Sequence, residues 1–263
     1  MWQKIVAAAC IAAGLSVSAL ADTKTDAALG ASQGAIGSTV PNLTFQSIVD
    51  GDISLAGLRG KPLLVNLIYT GCADVCPAII ESLAPAVNAA EEALGKGSFN
   101  VITVGFDTRN DTPERMRSFA RAHNAGGDNW YFVGTDKETV DRLSTAVGFE
   151  IFPSAGGFDH MAQVTILDGN GMIYDQVYGG SFAPPAIVEP LKRLILGRER
   201  SVFSLAGLGD RVKLFCTVYD PRTGRYYFSY ALPISIIIGA GCLLGILVFL
   251  VKELRKSMRA GGA

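Results

Sequence analysis

Two short apolar runs, each followed by a helical pattern, most constrain the fold of this chain. Residues 63–69 and 100–107 have the length and near-continuous hydrophobicity of strands that are buried on both faces. Residues 77–94 and 111–123 follow them with helical patterns, and the second pattern opens with a capping oxygen, a proline and an acid. Because parallel strands need crossovers that cover the sheet, this alternation predicts an α/β domain with helices on both faces.

The later segments complete the predicted sheet. They are a short strand, a helix, a two-stranded hairpin and a closing helix, at residues 131–133, 137–147, 163–167 with 173–177, and 186–196. Residues 43–55 are long enough to add a small hairpin at the start. The order β-α-β-α-β-α-β-β-α predicts a thioredoxin-like fold with a mixed sheet, because the late hairpin supplies an antiparallel edge.

Both ends of the chain have patterns typical of membrane targeting. Residues 1–21 carry a basic Lys4, an uncharged apolar run and a final Ala-Leu-Ala, the pattern of a signal peptide. Residues 232–251 contain no charge, and this length crosses about 30 Å of hydrocarbon. Basic residues follow in the predicted cytoplasmic tail, 252–263. We therefore expect an inner-membrane protein with one C-terminal transmembrane helix and its main domain in the periplasm.

Three further segments are expected between these ends. Residues 22–40 are rich in small and polar residues and are predicted to be a flexible lead-in. The α/β domain is expected over residues 41–197. Residues 198–231 are predicted to be a juxtamembrane extension that contains a strand, a turn and a second, aromatic strand. The near balance of 23 basic and 24 acidic residues argues against nucleic acid as a partner.

The motif TGCADVCP at residues 70–77 carries the strongest chemical signal. It lies where a predicted strand ends and a helix begins, and the free N–H groups and dipole of a helix start lower the pKa of a cysteine. The sulfur atoms of Cys72 and Cys76 are four residues apart and can face the same side of a helical turn. Paired soft thiolates favour Cu(I), zinc or iron–sulfur clusters, and two of them leave room for a third ligand.

The chain has two histidines that are candidates for this third ligand. His123 falls at the expected end of a helix, where a surface histidine commonly caps the dipole. His160 follows a glycine-rich loop that enters the strand at residues 163–167. In a thioredoxin-like sheet this loop lies beside the start of the first helix, so His160 can approach both cysteines. A solvent-exposed loop histidine is the alternative.

Three separated motifs together resemble the Sco/SenC proteins. They are TGCADVCP, VGFDTRNDTPERM and FDHMAQVTILD, at residues 70–77, 104–116 and 158–168. The resemblance covers about residues 41–196 and implies a thioredoxin-like fold, membrane attachment and a role in maturing the copper centre of cytochrome oxidase. It transfers copper binding to Cys72, Cys76 and His160. Members of the family are usually anchored at the N-terminus, whereas this chain is expected to use a C-terminal span.

The predicted function is that of a copper metallochaperone and not of an enzyme. It is expected to bind Cu(I), with Cu(II) as a second expected state, and to pass copper to a subunit of a respiratory haem-copper oxidase. The alternative is a periplasmic thiol-disulfide oxidoreductase that reduces the cysteines of the oxidase copper site. Residues 159–162 contain no proline where such reductants carry a cis-proline, which favours metal binding. A Cys72–Cys76 disulfide cannot bind copper, so a periplasmic thiol reductant is also an expected partner.

Two acids and one further cysteine are weaker candidates. Asp107 ends the strand next to the cysteine strand, and Asp159 precedes His160, so either carboxylate is a candidate to support the site without touching the metal. The structural alternative for Asp107 is an acid that accepts N–H bonds from its own loop. Cys216, in the extension, is predicted to be a buried thiol. The alternatives are an additional copper ligand and a thiol that exchanges with Cys72 or Cys76.

Overall fold

The computed structural model describes residues 24–72, 75–154, 156–198, 217–220, 223 and 225–260. The chain divides into two units, Met1–Arg200 and Ser201–Ala263. In the first unit the strands are β1 (Thr44–Ser47), β2 (Gly51–Ser54), β3 (Leu63–Ile68), β4 (Asn100–Gly105), β5 (Trp130–Val133), β6 (Ile151–Ser154), β7 (Gly157–His160), β8 (Gln163–Leu167) and β9 (Ile173–Tyr178). Its helices are α1 (24–34), α2 (Val75–Leu94), α3 (Pro113–Ala122), α4 (Lys137–Val147) and α5 (Pro184–Arg198).

A mixed five-stranded sheet in the order β5-β4-β3-β8-β9 forms the centre of the first unit. β3 pairs parallel with β4, and β4 with β5, whereas β8 runs antiparallel to both β3 and β9. All residues of β3, β4 and β8 are buried, which explains their near-continuous apolar sequences. α2 packs against α5, and α3 packs against β5. The predicted mixed sheet is therefore present, with the two predicted parallel strands side by side.

The ends of two helices follow from local capping chemistry. The hydroxyl of Thr112 accepts a hydrogen bond from the backbone N–H of Arg115, and Pro113 begins α3. The carboxylate of Asp136 caps α4 by accepting from Thr139 N at 2.9 Å. α4 then ends at Gly148, whose φ of 63° lies in the left-handed region that favours glycine.

The predicted flexible lead-in over 22–40 is wrong for the residues that the structure describes, because residues 24–34 form α1 and pack on the domain. Ser32 is fully buried, and its hydroxyl lies 2.9 Å from the hydroxyl of Tyr178 on β9. A Cβ atom at Gly148 would lie only 2.4 Å from the carbonyl oxygen of Ala31. The glycine at the end of α4 therefore makes room for the backbone of α1.

A second difference concerns the segment that carries His160. The sequence predicts a loop there, but β6 and β7 form an antiparallel hairpin in which Ile151 lies opposite His160. Pro153 and the glycine that opens β7 hide the strand pattern, because both residue types are rare inside ordinary strands. The hairpin matters for the site because it gives the histidine a fixed backbone partner.

The second unit contains a short hairpin and a long helix. β10 (Thr217–Asp220) pairs antiparallel with β11 (Arg225–Phe228), which is the hairpin expected within residues 198–231. Helix α6 (Ala231–Ala260) follows. The predicted transmembrane helix over 232–251 is not supported: no helix among the described residues reaches the length and apolarity that crossing a membrane requires. The predicted signal peptide and Cys216 lie outside the described residues.

Candidate metal centre

The two cysteines of the TGCADVCP motif lie at the junction of β3 and α2. Thr70 and Gly71 follow the buried strand, Cys72 is half-buried, and Cys76 is the second residue of α2 and is fully buried. Both cysteines are free thiols. The backbone N–H of Cys76 is one of the unpaired donors of the helix start, and it donates to the sulfur of Cys72 at 3.3 Å. The local fold therefore holds one sulfur in the core and the other at the surface of the site.

His160, the last residue of β7, lies directly beside Cys76. Its Nε2 atom is 3.6 Å from the sulfur of Cys76, and its Nδ1 atom is 3.2 Å from the carbonyl oxygen of Met161. Because a carbonyl oxygen only accepts hydrogen bonds, Nδ1 carries the proton of the neutral ring. The lone pair of Nε2 then faces the Cys76 thiol, in the tautomer that a metal ligand needs.

Aromatic side chains surround the histidine ring. The rings of Phe106 and Phe149 lie 5.4 and 5.3 Å from the ring of His160, and the ring of Tyr69 lies 6.1 Å away. Phe158, from the same hairpin, packs on both Tyr69 and Phe106. Burial among these rings lowers the pKa of His160. The imidazole therefore stays neutral, and able to bind a metal, to lower pH than an exposed histidine.

The pKa of Cys76 differs from the sequence-based expectation. Its position at a helix start predicts a lowered pKa, whereas burial raises the pKa of the Cys76 thiol far above its usual range. The low-dielectric surroundings disfavour the thiolate more strongly than the helix start favours it. Cys76 is therefore a thiol in the metal-free protein, and its S–H group has the Nε2 atom of His160 as an acceptor.

The three predicted ligands come together without forming a complete cage. Among the described residues, no three His, Cys, Asp or Glu side chains are arranged to hold a metal ion. His160 Nε2 lies beside the sulfur of Cys76, and the sulfur of Cys72 accepts a hydrogen bond from the N–H of Cys76.

The two acids predicted to support the site make other contacts. Asp107 accepts a hydrogen bond from the side-chain amide of Asn110 at 2.7 Å. This contact agrees with the alternative of an acid bonded within its own loop. Asp159 is exposed on β7, and the ring of His160 is oriented by the carbonyl of Met161. The charge of Asp159 favours the protonated form of His160, but burial outweighs it and lowers the pKa of His160.

His123 lies at the end of α3, as its position in the sequence predicts. Its Nδ1 atom is 3.1 Å from the carboxylate of the exposed Glu81, and its ring stacks 4.4 Å from the ring of Phe119. His123 is also the residue at which α3 terminates. These contacts agree with the interpretation of His123 as a surface residue at a helix end.

Sequence reasoning did not identify Asp111 or the aromatic enclosure as parts of the site. The sequence places Asp111 in the predicted start of α3, but Thr112 caps that helix and the Asp111 carboxylate accepts from the backbone N–H of Thr70 in the cysteine motif. The sequence contained one signal for Asp111. It is a second acid, four residues after Asp107, and the helix start needs only one capping residue. Phe106, Phe149 and Phe158 are spread over fifty residues and meet only in the folded chain.

Comparisons with known proteins identify the family. Residues 43–196 match the family model described as SCO1/SenC. The SCO1 protein homolog of Bacillus subtilis is 28% identical over 96 residues, which are 36% of this chain and 48% of that protein. The chain thus matches about half the length of this relative.

Solved structures of Sco proteins share the architecture. Bradyrhizobium japonicum ScoI, solved with copper bound, is 21% identical and aligns with a TM-score of 0.50 over 60% of this chain and 99% of its own. BsSco, described as a member of the Sco family of cytochrome c oxidase assembly proteins with a disulfide switch, is 20% identical. It aligns with a TM-score of 0.54 over 60% of this chain and 94% of its own. The predicted thioredoxin-like fold is confirmed by these likenesses. Because the family model matches more than half of its residues, the chain belongs to the SCO1/SenC family.

Proposed function

We propose that this protein is a copper metallochaperone that serves the assembly of the copper centre of a respiratory haem-copper oxidase. Copper is its cargo, bound by Cys72, Cys76 and His160. The observation that carries the proposal is the 3.6 Å approach of His160 Nε2 to Cys76 Sγ, with the ring held in the ligand tautomer by Met161. The copper in ScoI and the oxidase-assembly role named for BsSco support the same assignment.

The donor set fits copper better than zinc. Two thiolates and one imidazole supply soft sulfur ligands for Cu(I), together with a nitrogen ligand that Cu(II) also accepts. Structural zinc is almost always held by four protein ligands, whereas this proposal assigns three, Cys72, Cys76 and His160. The aromatic rings around His160 exclude water from one side, which protects a low-coordinate Cu(I) ion from additional ligands.

The unequal exposure of the two sulfurs suggests how copper is passed on. Cys76 and His160 are held by the core, whereas Cys72 is half-buried and lies on the outer side of the pair. A thiolate of the receiving oxidase subunit can therefore replace Cys72 first, while the inner ligands still retain the metal. In this scheme Cys72 is the exchanging ligand and Cys76 is the retaining one.

A thiol-disulfide oxidoreductase is the second candidate function. The contact between Cys76 N–H and Cys72 Sγ favours it, because this contact keeps the sulfur of the less buried cysteine close to the buried one. In such a reaction the Cys72 thiolate attacks a partner disulfide and releases one partner thiolate. Cys76 then attacks the mixed disulfide, which leaves a Cys72–Cys76 disulfide and a fully reduced partner.

Copper titration alongside a disulfide-reduction assay tests the two functions on one preparation. We expect the reduced full chain to bind one Cu(I) ion in competition with a Cu(I) chelator, and the oxidised chain to bind almost none. The reduced chain should reduce the disulfide of a peptide with two cysteines only slowly in comparison with its binding of copper. Absence of copper affinity together with rapid reduction of the peptide would replace the chaperone assignment with the oxidoreductase one.

We further propose that the α/β unit acts in the periplasm. The support is the pattern of residues 1–21, which is typical of a signal for export. A reporter enzyme that is active only after export, fused after residue 200, should be active in cells. Activity only from a cytoplasmic reporter at the same junction would refute the assignment.

A further inference from the structure

Asp111 is a buried carboxylate to which the proposed copper chemistry assigns no role. It is 2% exposed and lies at the exit of β4, next to the cysteine motif. Thr112 already caps α3, so Asp111 is not needed to begin that helix. Burying a carboxylate is costly unless hydrogen bonds compensate for the lost water. The contacts of Asp111 therefore indicate what the carboxylate is for.

The side-chain hydrogen bonds of Asp111 join the segments that follow β3 and β4. Asp111 Oδ1 accepts from both the backbone N–H and the hydroxyl of Thr70, at 2.9 and 2.6 Å. Asp111 Oδ2 accepts from the backbone N–H of Asp107 at 2.9 Å. Thr70 comes two residues before Cys72, and the turn between them is closed by the bond from Cys72 N to Tyr69 O at 3.2 Å. The carboxylate thus fastens the cysteine turn to the end of β4.

The surrounding backbone leaves space for Asp111 and for little else. A Cβ atom at Gly105 would lie 2.4 Å from the Cβ atom of Asp111. A Cβ atom at Gly134 would lie 2.7 Å from the carbonyl oxygen of Asp111. Glycines at the exits of β4 and β5 therefore let this residue pack closely, so its carboxylate has little freedom to move away from Thr70.

We propose that Asp111 is a positioning residue that fixes the turn Thr70-Gly71-Cys72 and thereby sets the placement of the Cys72 sulfur relative to Cys76 and His160. The effect on copper rests on the proposed function, whereas the effect on the two thiols does not. Asp111 reaches the cysteine motif through its hydrogen bonds from the backbone N–H and the hydroxyl of Thr70. Burial raises the pKa of Cys76, and the charge of Asp111 has an additional, smaller effect that raises this pKa too.

Asp111→Asn tests the proposal with little change in shape. The amide has one acceptor oxygen and one donor nitrogen, so it cannot accept from Thr70 and from Asp107 N at the same time. In the full chain we expect the Cu(I) affinity to fall about 10- to 100-fold, the usual effect of losing a group that orients a ligand. In the copper-free chain, the equilibrium constant for forming the Cys72–Cys76 disulfide against glutathione should fall about tenfold, because the two sulfurs meet less often.

Asp168→Asn is the matched control. Asp168 Oδ1 also accepts from two backbone N–H groups, those of Asn170 and Met172, at 2.8 and 2.9 Å. It lies at the other end of the sheet, because the adjacent Leu167 pairs with Leu63, the first residue of β3. Urea unfolding of both variants measures the general cost of losing such a carboxylate. The control should lose stability without a change in copper affinity or in the disulfide equilibrium.

Thr70→Val and Thr70→Ser provide a milder pair should Asp111→Asn not fold. Valine removes the 2.6 Å hydroxyl contact and keeps the shape, whereas serine restores the hydroxyl. The proposal predicts a reduced disulfide equilibrium constant for valine and recovery for serine. It is overturned if both readouts of Asp111→Asn match the wild type, or if Asp168→Asn lowers them equally. Absence of copper binding by the wild type, with an altered disulfide equilibrium in Asp111→Asn, would reject the proposed function and keep the positioning role.

Discussion

Replacing Cys76 with serine is expected to abolish tight Cu(I) binding by the reduced chain. The Cys76 sulfur is the donor at the centre of the proposed site, 3.6 Å from His160 Nε2 and shielded from water. A serine hydroxyl is a hard, weak ligand for Cu(I), and Cys72 alone would then supply the sulfur ligand. Cys72→Ser should have the same effect, because one thiolate and one imidazole do not retain Cu(I) against a competing chelator.

The same cysteine gives the binding a definite pH dependence. Burial raises the pKa of Cys76, so copper must displace a proton from this thiol when it binds. Each proton released makes the Cu(I) affinity rise about tenfold per pH unit as long as the thiol is protonated in the free protein. We therefore expect the Cu(I) affinity to keep increasing with pH even above the pKa of an ordinary cysteine, because Cys76 is still protonated there.

Cys242→Ser and Cys216→Ser are the controls for this experiment. Cys242 is exposed on α6, and Cys216 is predicted to contribute no ligand, so both variants should still bind one copper. X-ray absorption of the loaded proteins measures the number of sulfur ligands directly. A Cys76→Ser chain that retains two copper–sulfur bonds would remove Cys76 from the site, and loss of half the copper from Cys216→Ser would add the extension to it.

His160→Ala should weaken Cu(II) binding more than Cu(I) binding. Cu(I) accepts two sulfur ligands, whereas Cu(II) prefers nitrogen and a tetragonal arrangement. We expect the Cu(II) affinity to fall roughly 100-fold and the Cu(I) affinity roughly tenfold, differences of about 2.7 and 1.4 kcal/mol. Because burial lowers the pKa of His160, the wild-type nitrogen stays available in mildly acidic solution, and the gap between the two proteins should persist there.

His123→Ala is the matched control for the histidine. His123 is the other histidine of the chain, and its contacts are with Glu81 and Phe119 at the end of α3. This variant should bind Cu(I) and Cu(II) with the same affinities as the wild type. The copper–nitrogen signal in X-ray absorption should be lost from His160→Ala and kept in His123→Ala. An unchanged signal in His160→Ala would exclude His160 as a ligand.

The local sequence pattern was sufficient to predict those elements in which the apolar residues are also the buried ones. The residues of β3 and β4 are all buried, so a continuous apolar run identifies each strand and the helix that must follow it. The cysteine motif was placed at the junction of β3 and α2 for the same reason. The lead-in and the β6–β7 hairpin were missed because their order comes from contacts with distant segments. α1 is held by Gly148 and Tyr178, and neither contact leaves a pattern in residues 24–34.

The sequence by itself determined the strand–helix framework, the position of Cys72 and Cys76 at a helix start, and a short list of possible third ligands. Only the tertiary structure decided that His160 meets Cys76, because this contact joins residues 84 positions apart through the pairing of β6 and β7. It also reversed the expected pKa shift of Cys76. A helix start acts locally and is visible in the sequence, whereas burial depends on the aromatic and aliphatic side chains that the whole fold packs around the sulfur. The contact of Asp111 with Thr70 has the same origin, since Thr70 follows β3 and is 41 positions away in the sequence.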